Sequence, residues 1–388
     1  MHIRILVIGG LAQSLVNFRG PLLQAMVSAG HSVATFANGR DLITEQKLKQ
    51  IGVKHYPIRI VRTGMNPFTD LVTLLDVVRL LSRIHPDVVL TYTIKPVIYG
   101  SLAAKLCSTP GIYSMIEGLG YPFMDPTSLS QRIVGYIARK LYKICLKYNR
   151  RVFFLNPDDK ALFLNTKLVR LDQPVLINGC GVDLGHYDFS PLPGEPVFLM
   201  IARLLADKGV KEYVKAAENV KKRFPQTRFL LGGDLDPNPS AVRESELLQW
   251  QEAGTIEHLG YLDDVRPAIQ KCRFYILPSY REGIPRTVLE AMSMGRPIIT
   301  TNAPGCRETV MLTPGGQRQR ERGEGVMRGE NGFLVRVRDV EALVTAMMHL
   351  LKEPDLAERM AKRSREIAEE KFDVHKVNAV ILNAMGLT

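Results

Sequence analysis

The 388-residue chain reads as an α/β protein built from two doubly wound domains. Three observations predict this. Short β-branched runs alternate with longer amphipathic segments, which is the signature of a parallel sheet covered on both faces. The alternation breaks once and then restarts. The length suits two or three domains of ordinary size. In the first half the predicted strands are Ile3–Ile8, Ser32–Phe36, Val88–Tyr92, Gly111–Ile116, Val152–Leu155 and Val175–Ile177, with helices such as Pro21–Ala29 and Phe68–Ile84 between them. The break is Phe189–Pro196, where three prolines in eight residues exclude regular structure and predict a linker and hinge. The second half predicts strands Val197–Ile201, Arg228–Leu231, Ile256–Leu259, Phe274–Leu277 and Pro297–Thr301, and helices Val210–Phe224 and Pro285–Met294. Thr313–Gly329, rich in Gly and Arg, predicts a mobile loop. The domains are therefore expected at 1–190 and 191–370, with a terminal helix in 371–388 docking back on the first. A ligand cleft is expected between the domains, at the carboxyl ends of the strands.

Composition narrows the class. A hydrophobic fraction of 46% beside 23% charged residues belongs to a folded protein and excludes disorder as the main state. Five scattered cysteines, without a Cys-x-x-Cys pair, predict neither a disulfide framework nor a zinc ribbon and fit a reducing compartment. No run reaches the roughly 18 apolar residues of a membrane span. The short apolar run at the start reads as a first strand rather than a signal peptide, so a cytoplasmic location is expected. A net charge of +12 asks for an anionic partner: nucleic acid, an acidic membrane or a phosphorylated substrate.

Five stretches carry candidate chemistry. Gly9 and Gly10 follow the first strand, where glycine either lets a ligand phosphate approach the backbone or simply turns the chain. In IARLLADKG, Arg203 and Lys208 lie just past a buried strand; they suit a diphosphate, or are two solvated cations. In REGIPRTVLEAM, Pro285 suits the first helical position, and the amides of the helix start form an anion site. Within that helix Glu290 sits among apolar neighbours, so it needs a partner if buried. A sugar diol is one such partner; the plainer reading is a favourable helix-dipole charge. Ser130–Arg151 holds seven basic residues and no acidic one, with apolar residues at helical spacing. It fits either an anionic membrane face or an ordinary core-packing helix with a solvated basic side. Asp234-x-Asp236 is a metal-binding carboxylate pair or merely part of a loop.

Taken together, Glu282 and Glu290 with seven residues between them, IARLLADKG, and INGCGVD (Asn178–Asp183) resemble glycosyltransferase family 4. IEGLG (Ile116–Gly120), MNPF (Met65–Phe68) and LLGGDLDPNPSA look like a bacterial subgroup acting on undecaprenyl-diphosphate-linked sugars. The resemblance implies the GT-B fold: two Rossmann-like domains with an interdomain cleft, the first binding acceptor and the second binding the nucleotide-sugar. It also implies roles. Arg203 and Lys208 would hold the donor diphosphate, Glu290 the ribose, and Glu282 with Gly283, Ile284, Pro285 and Arg286 the donor sugar. Gly9 and Gly10 would face the diphosphate, and Tyr261 and Leu262 would lie at the base. Glu117 stands where many members carry His and takes an acceptor-side catalytic role.

The implied activity is retaining transfer of a sugar, an N-acetylhexosamine, from a UDP-sugar to an undecaprenyl-diphosphate-linked sugar in bacterial glycan assembly. No cofactor and no metal are expected, because fixed cations take the leaving charge. Arg132, Arg139, Lys140, Lys143 and Lys147 would hold the protein peripherally on the anionic inner face of the cell membrane. Two rivals differ in their tests. A UDP-sugar epimerase of the same architecture would convert a UDP-sugar without acceptor. A nucleic-acid-binding protein would bind duplex or single strands in a salt-dependent way, although no recognition module supports it and no nucleic-acid partner is expected.

Overall fold

A computed structural model describes residues 2–58, 67–119, 123, 129–238, 240–313 and 325–388. The chain divides into two compact units, Met1–Cys180 with Val374–Thr388, and Gly181–Asp373.

The first unit is a seven-stranded sheet in the order β3-β2-β1-β4-β5-β6-β7, every neighbouring pair parallel. Its strands are β1 (Arg4–Ile8), β2 (Ser32–Asn38), β3 (Lys54–Ile58), β4 (Val88–Tyr92), β5 (Gly111–Ile116), β6 (Arg151–Phe154) and β7 (Pro174–Leu176). Its helices are α1 (Ala12–Asn17), α2 (Gly20–Ser28), α3 (Leu42–Gln50), α4 (Pro67–Ile84), α5 (Ser101–Leu106), α6 (Leu129–Leu146) and α7 (Pro157–Asn165). Strands β4 and β5 are buried at every position, as a parallel strand covered on both faces must be. Leu6, Ile8, Phe36, Val89 and Ile112 pack against Val77 and Leu81 of α4.

The second unit repeats the plan with strands β8 (Val197–Ile201), β9 (Arg228–Gly232), β10 (Glu257–Gly260), β11 (Phe274–Leu277), β12 (Ile298–Thr301), β13 (Val326–Arg328) and β14 (Gly332–Val335). Their order is β10-β9-β8-β11-β12-β14-β13, parallel except for β13, which runs antiparallel to β14. Its helices are α8 (Val210–Lys221), α9 (Glu244–Glu252), α10 (Arg266–Lys271), α11 (Arg286–Ser293), α12 (Val340–Lys352) and α13 (Pro354–Ile367). The last helix, α14 (Val374–Met385), belongs to the first unit. There the Tyr113 hydroxyl donates to the Met385 carbonyl at 3.2 Å.

Several expectations need correction. The boundary falls at 180/181, not 190. Phe189–Pro196 is no hinge but is pinned to the second unit. The buried Arg296 guanidinium donates to the Ser190 carbonyl at 2.8 Å and to its hydroxyl at 2.6 Å, and Arg273 donates to the Pro193 carbonyl at 2.6 Å. The chain instead crosses between units at 180/181 and 373/374, and Val182 and Asp373 are paired by a parallel bridge. Strand β3 escaped the sequence reading because Lys54, His55 and Pro57 break its pattern; proline is tolerated there because β3 is an edge strand. Part of the expected Thr313–Gly329 loop is strand β13; residues 314–324 lie outside the described residues, as do Met65, Asn66, Gly120 and Tyr121. Pro285 is the cap of α11 and not its first residue.

Replacing Arg296 with Met leaves the Ser190 carbonyl without its donor, whereas the Ile269 and Met294 carbonyls keep the Cys272 and Ser190 amides. The variant is expected to lose roughly 1–3 kcal/mol of second-unit stability, the scale of one buried acceptor left unsatisfied. Urea unfolding followed by the fluorescence of Trp250, the sole tryptophan, reads this directly; an unchanged midpoint would remove the pinning role.

Candidate functional site

In a doubly wound sheet the order of strands reverses at one point, and the loops leaving the carboxyl ends there diverge to leave a crevice. In the second unit that point lies between β8 and β11. The loop after β8 carries Arg203 and Lys208, and the loop after β11 carries Glu282–Arg286. The structure therefore brings together the residues that the sequence singled out in two stretches some 80 positions apart.

The two loops are locked to each other. Lys208 donates to Glu282 at 2.5 Å, with both side chains largely buried. The Tyr280 amide donates to the Asp207 carbonyl at 2.8 Å, and the Tyr280 hydroxyl to Glu212 of α8 at 2.6 Å. Gly209 has φ +75°, and a Cβ there would strike the Pro278 carbonyl. Only glycine allows both the left-handed turn and that approach. At the other end, the Thr287 hydroxyl reaches the Ile201 carbonyl at 3.3 Å, which sets the start of α11 beside the end of β8. Gly283, Ile284 and Pro285 are buried. Pro285 caps α11 without a side-chain acceptor, which keeps the positive end of the helix dipole facing this loop.

Arg203 behaves differently from Lys208. Its side chain is 64% exposed and forms a 3.3 Å ion pair with Asp236, on the loop after β9. One carboxylate of the Asp234–Asp236 motif is thus engaged by an arginine. Asp236 also accepts from the Asn238 amide at 2.9 Å, within a turn.

Glu290 is buried, 4% exposed. Its carboxylate accepts from Arg286 Nε at 2.7 Å, one helical turn earlier, and hydrogen-bonds to Tyr187. Burial raises its pKa, and Arg286 only partly opposes this. Burial also pushes the Tyr187 phenol up to about 12, with the charge of Glu290 adding to the effect. Tyr187 had no signal in the sequence beyond its place after INGCGVD. Asp264, on the loop after β10, is close enough for its charge to raise Glu290 further. On the same loop Tyr261 is exposed, and Leu262 packs on Gly232 at the end of β9.

Gly9, Gly10 and Glu117 belong to the first unit. Its reversal point lies between β1 and β4. Gly9 and Gly10 leave β1 and meet Tyr92 and Thr93 at the end of β4. The expected helix Pro21–Ala29 is α2, and a short helix that the sequence reading missed, α1, opens before it at Ala12, directly after the glycines. Glu117 follows β5 and is ion-paired with Arg19. Sequence reasoning missed Arg19, because nothing local marks a residue that pairs 98 positions away.

The basic helix α6 shows two faces. Ala138, Tyr142, Cys145 and Leu146 are buried. Leu129, Ile133, Tyr136, Ile137 and Ile144 are exposed, Leu129 by 73% and Tyr136 by 62%. At 100° per residue these five fall on one outward stripe. Arg132, Arg139, Lys140 and Lys143 are also exposed, lying within or beside that stripe, and Lys147 is exposed just past the end of the helix. No helix among the described residues is long and apolar enough to cross a membrane.

Comparison with known proteins agrees with this layout. Residues 8–156 match the model for glycosyl transferase 4-like proteins, and residues 195–353 that for glycosyl transferases group 1. The chain is 29% identical over 313 residues to the Campylobacter jejuni N,N'-diacetylbacillosaminyl-diphospho-undecaprenol alpha-1,3-N-acetylgalactosaminyltransferase, covering 76% of this chain and 80% of that one. It is 23% identical over 324 residues to an Escherichia coli UDP-Gal:alpha-D-GlcNAc-diphosphoundecaprenol alpha-1,3-galactosyltransferase, covering 79% and 77%. Among solved structures, Anabaena Alr3699/HepE in complex with UDP and glucose superposes with a TM-score of 0.77 at 17% identity, over 99% of this chain and 100% of that one. The matches fall on both doubly wound units, and the second takes in both locked loops. The chain is a glycosyltransferase, a member of the group 1, family 4-like enzymes, and its two units are those of the GT-B fold.

Proposed function

We propose that the enzyme moves a sugar, an N-acetylhexosamine, from a UDP-sugar to a hydroxyl of an undecaprenyl-diphosphate-linked sugar, with retention of anomeric configuration. The observation that carries this reading is the Lys208–Glu282 pair locked at the reversal point of the second unit, beside the start of α11. The names of the Campylobacter and Escherichia relatives support a polyprenyl-linked acceptor. The UDP complex of HepE, alike in fold, is consistent with a UDP donor.

In this reading the bond between the anomeric carbon and the diphosphate oxygen breaks, and the bond from the acceptor oxygen to that carbon forms. The hydroxyl proton passes to a donor phosphate oxygen. Negative charge grows on the leaving diphosphate, and Lys208, Arg203 and the α11 dipole would stabilise it. Stabilisation aimed at that developing charge lowers the barrier more than equal binding of the ground state would. Arg203, already mostly in water, would exchange Asp236 for phosphate, and Asp236 would keep the Asn238 amide. Glu282 would turn to the sugar hydroxyls as Lys208 turns to the diphosphate, and Glu290 would accept from the ribose. Because fixed cations take the charge, no metal is needed.

The exposed apolar stripe of α6, bordered by Arg132, Arg139, Lys140, Lys143 and Lys147, would rest on an anionic membrane surface. Such a peripheral position at the cytoplasmic face puts the enzyme where a lipid-linked acceptor lies.

Lys208→Ala is expected to lower turnover by roughly 10² or more, the scale for a lost charge-stabilising donor, and the wild-type rate is expected to persist in excess EDTA. A near-normal rate in the variant removes Lys208 from the mechanism, and abolition by EDTA with rescue by Mg²⁺ or Mn²⁺ overturns the metal-free reading. Glu290→Ala should weaken UDP binding measured by calorimetry, and an unchanged Kd refutes the ribose contact. Charge reversal of Arg139, Lys140 and Lys143 together should lower co-sedimentation with phosphatidylglycerol vesicles by tenfold or more, on the order of 1 kcal/mol per cation. Equal binding would return α6 to an ordinary surface helix.

A further inference from the structure

We propose that Arg19 is a positioning residue for the acceptor: it fixes Glu117, from beneath, toward the hydroxyl that attacks the donor. The proposal rests on the functional reading above and adds a residue that neither the motifs nor the family comparison brought forward.

Arg19 immediately precedes α2 and is only 1% exposed. Its guanidinium lies over the Tyr92 ring, 5.1 Å from the centroid, and is ion-paired with Glu117. Tyr92 is the last residue of β4 and is itself fixed. Ser14 spends its proton on the Leu11 carbonyl at 2.6 Å, so the Tyr92 hydroxyl donates to Ser14 Oγ at 2.9 Å. A side chain on Gly9 would overlap that hydroxyl, so glycine here makes room for the tyrosine. Thr93, the next residue, holds φ +67°, a left-handed conformation that costs a β-branched residue on the order of 1–2 kcal/mol. Its Oγ1 would stand 2.7 Å from a Cβ on Gly10. The glycine turn, a strained threonine, a buried tyrosine and a buried arginine thus converge at the reversal point of the first sheet, and Glu117 is the member with a side chain still 26% exposed.

The asymmetry carries the argument. Burying a cation is expensive, and an apolar pair of similar volume commonly does at least as well for stability alone. Here the cation is wholly inside and its carboxylate partner reaches the surface, at the strand ends where ligands bind in such sheets. The arrangement fixes the direction of Glu117 and leaves part of that carboxylate available. Glu117 would accept a hydrogen bond from the attacking hydroxyl and align it, while the proton itself still goes to the departing phosphate.

The test is a double-mutant cycle on the full-length enzyme, with a UDP-sugar donor and a synthetic polyprenyl-diphosphate sugar. Arg19→Gln and Glu117→Gln are each expected to lower kcat/KM for the acceptor 10- to 100-fold, while the Kd for UDP stays within twofold. The double variant should be no worse than either single one, and Arg19→Lys should restore part of the loss. Multiplying effects in the double variant, equal losses for donor and acceptor, or wild-type kinetics in Arg19→Gln would each overturn the proposal. If Arg19→Gln does not fold, the same cycle built on Arg19→Lys decides it: the cost of Glu117→Gln must shrink in the Lys background, and an undiminished cost refutes the coupling. A wild-type enzyme that binds UDP but transfers to none of the polyprenyl-diphosphate sugars would instead overturn the functional reading.

Discussion

The candidate site of the second unit depends on two loops that hold each other in place. Lys208 grips Glu282, the Asp207 carbonyl takes the Tyr280 amide, and Gly209 lets the first loop press against Pro278. What these contacts fix is the backbone: the conformational entropy of both loops is lost once, on folding, whatever partner their side chains take. Thr287, bonded to the end of β8, carries the same constraint into the first turn of α11.

The sequence made the second unit legible because its candidate residues are local. Arg203 to Lys208 is a stretch of six residues just after one buried strand, and Glu282 to Glu290 a stretch of nine following another. Chain continuity and the parallel order of strands then put both stretches on one edge. The first unit was less legible for the opposite reason. Arg19, Tyr92 and Glu117 come from three separate stretches, and their meeting follows from strand order, which no local periodicity encodes. Strand β14 was missed for another reason again: it is four residues long and opens with Gly332, whose Cβ would strike the Ile298 carbonyl of the neighbouring strand.

Helix α6 shows where hydropathy alone stops. Its apolar residues recur at helical spacing all round, and one pattern fits both a core helix and a surface one. Burial divides them: Tyr142, Cys145 and Leu146 fill the core, whereas Ile133, Tyr136 and Ile144 do not. The proline-rich stretch teaches the same lesson. Composition predicted irregular structure at Phe189–Pro196, correctly, but irregular backbone is not free backbone. Arg296, buried a hundred positions later in the chain, donates to Ser190 and fastens the segment in place.

The ion pairs in the two units differ in a way that separates exchange from support. Arg203 and Asp236 meet where the arginine is mostly in water, so swapping the aspartate for another anion costs little. Lys208 and Glu282 are largely buried, and separating them is worthwhile only when a ligand supplies each with a new partner. Arg19 is only 1% exposed, and its carboxylate partner Glu117 is the more accessible of the two. Along this series the cation passes from one mostly in water, through one paired and largely buried, to one wholly enclosed. Burial, more than residue type, sets how readily an arginine or lysine can exchange its partner.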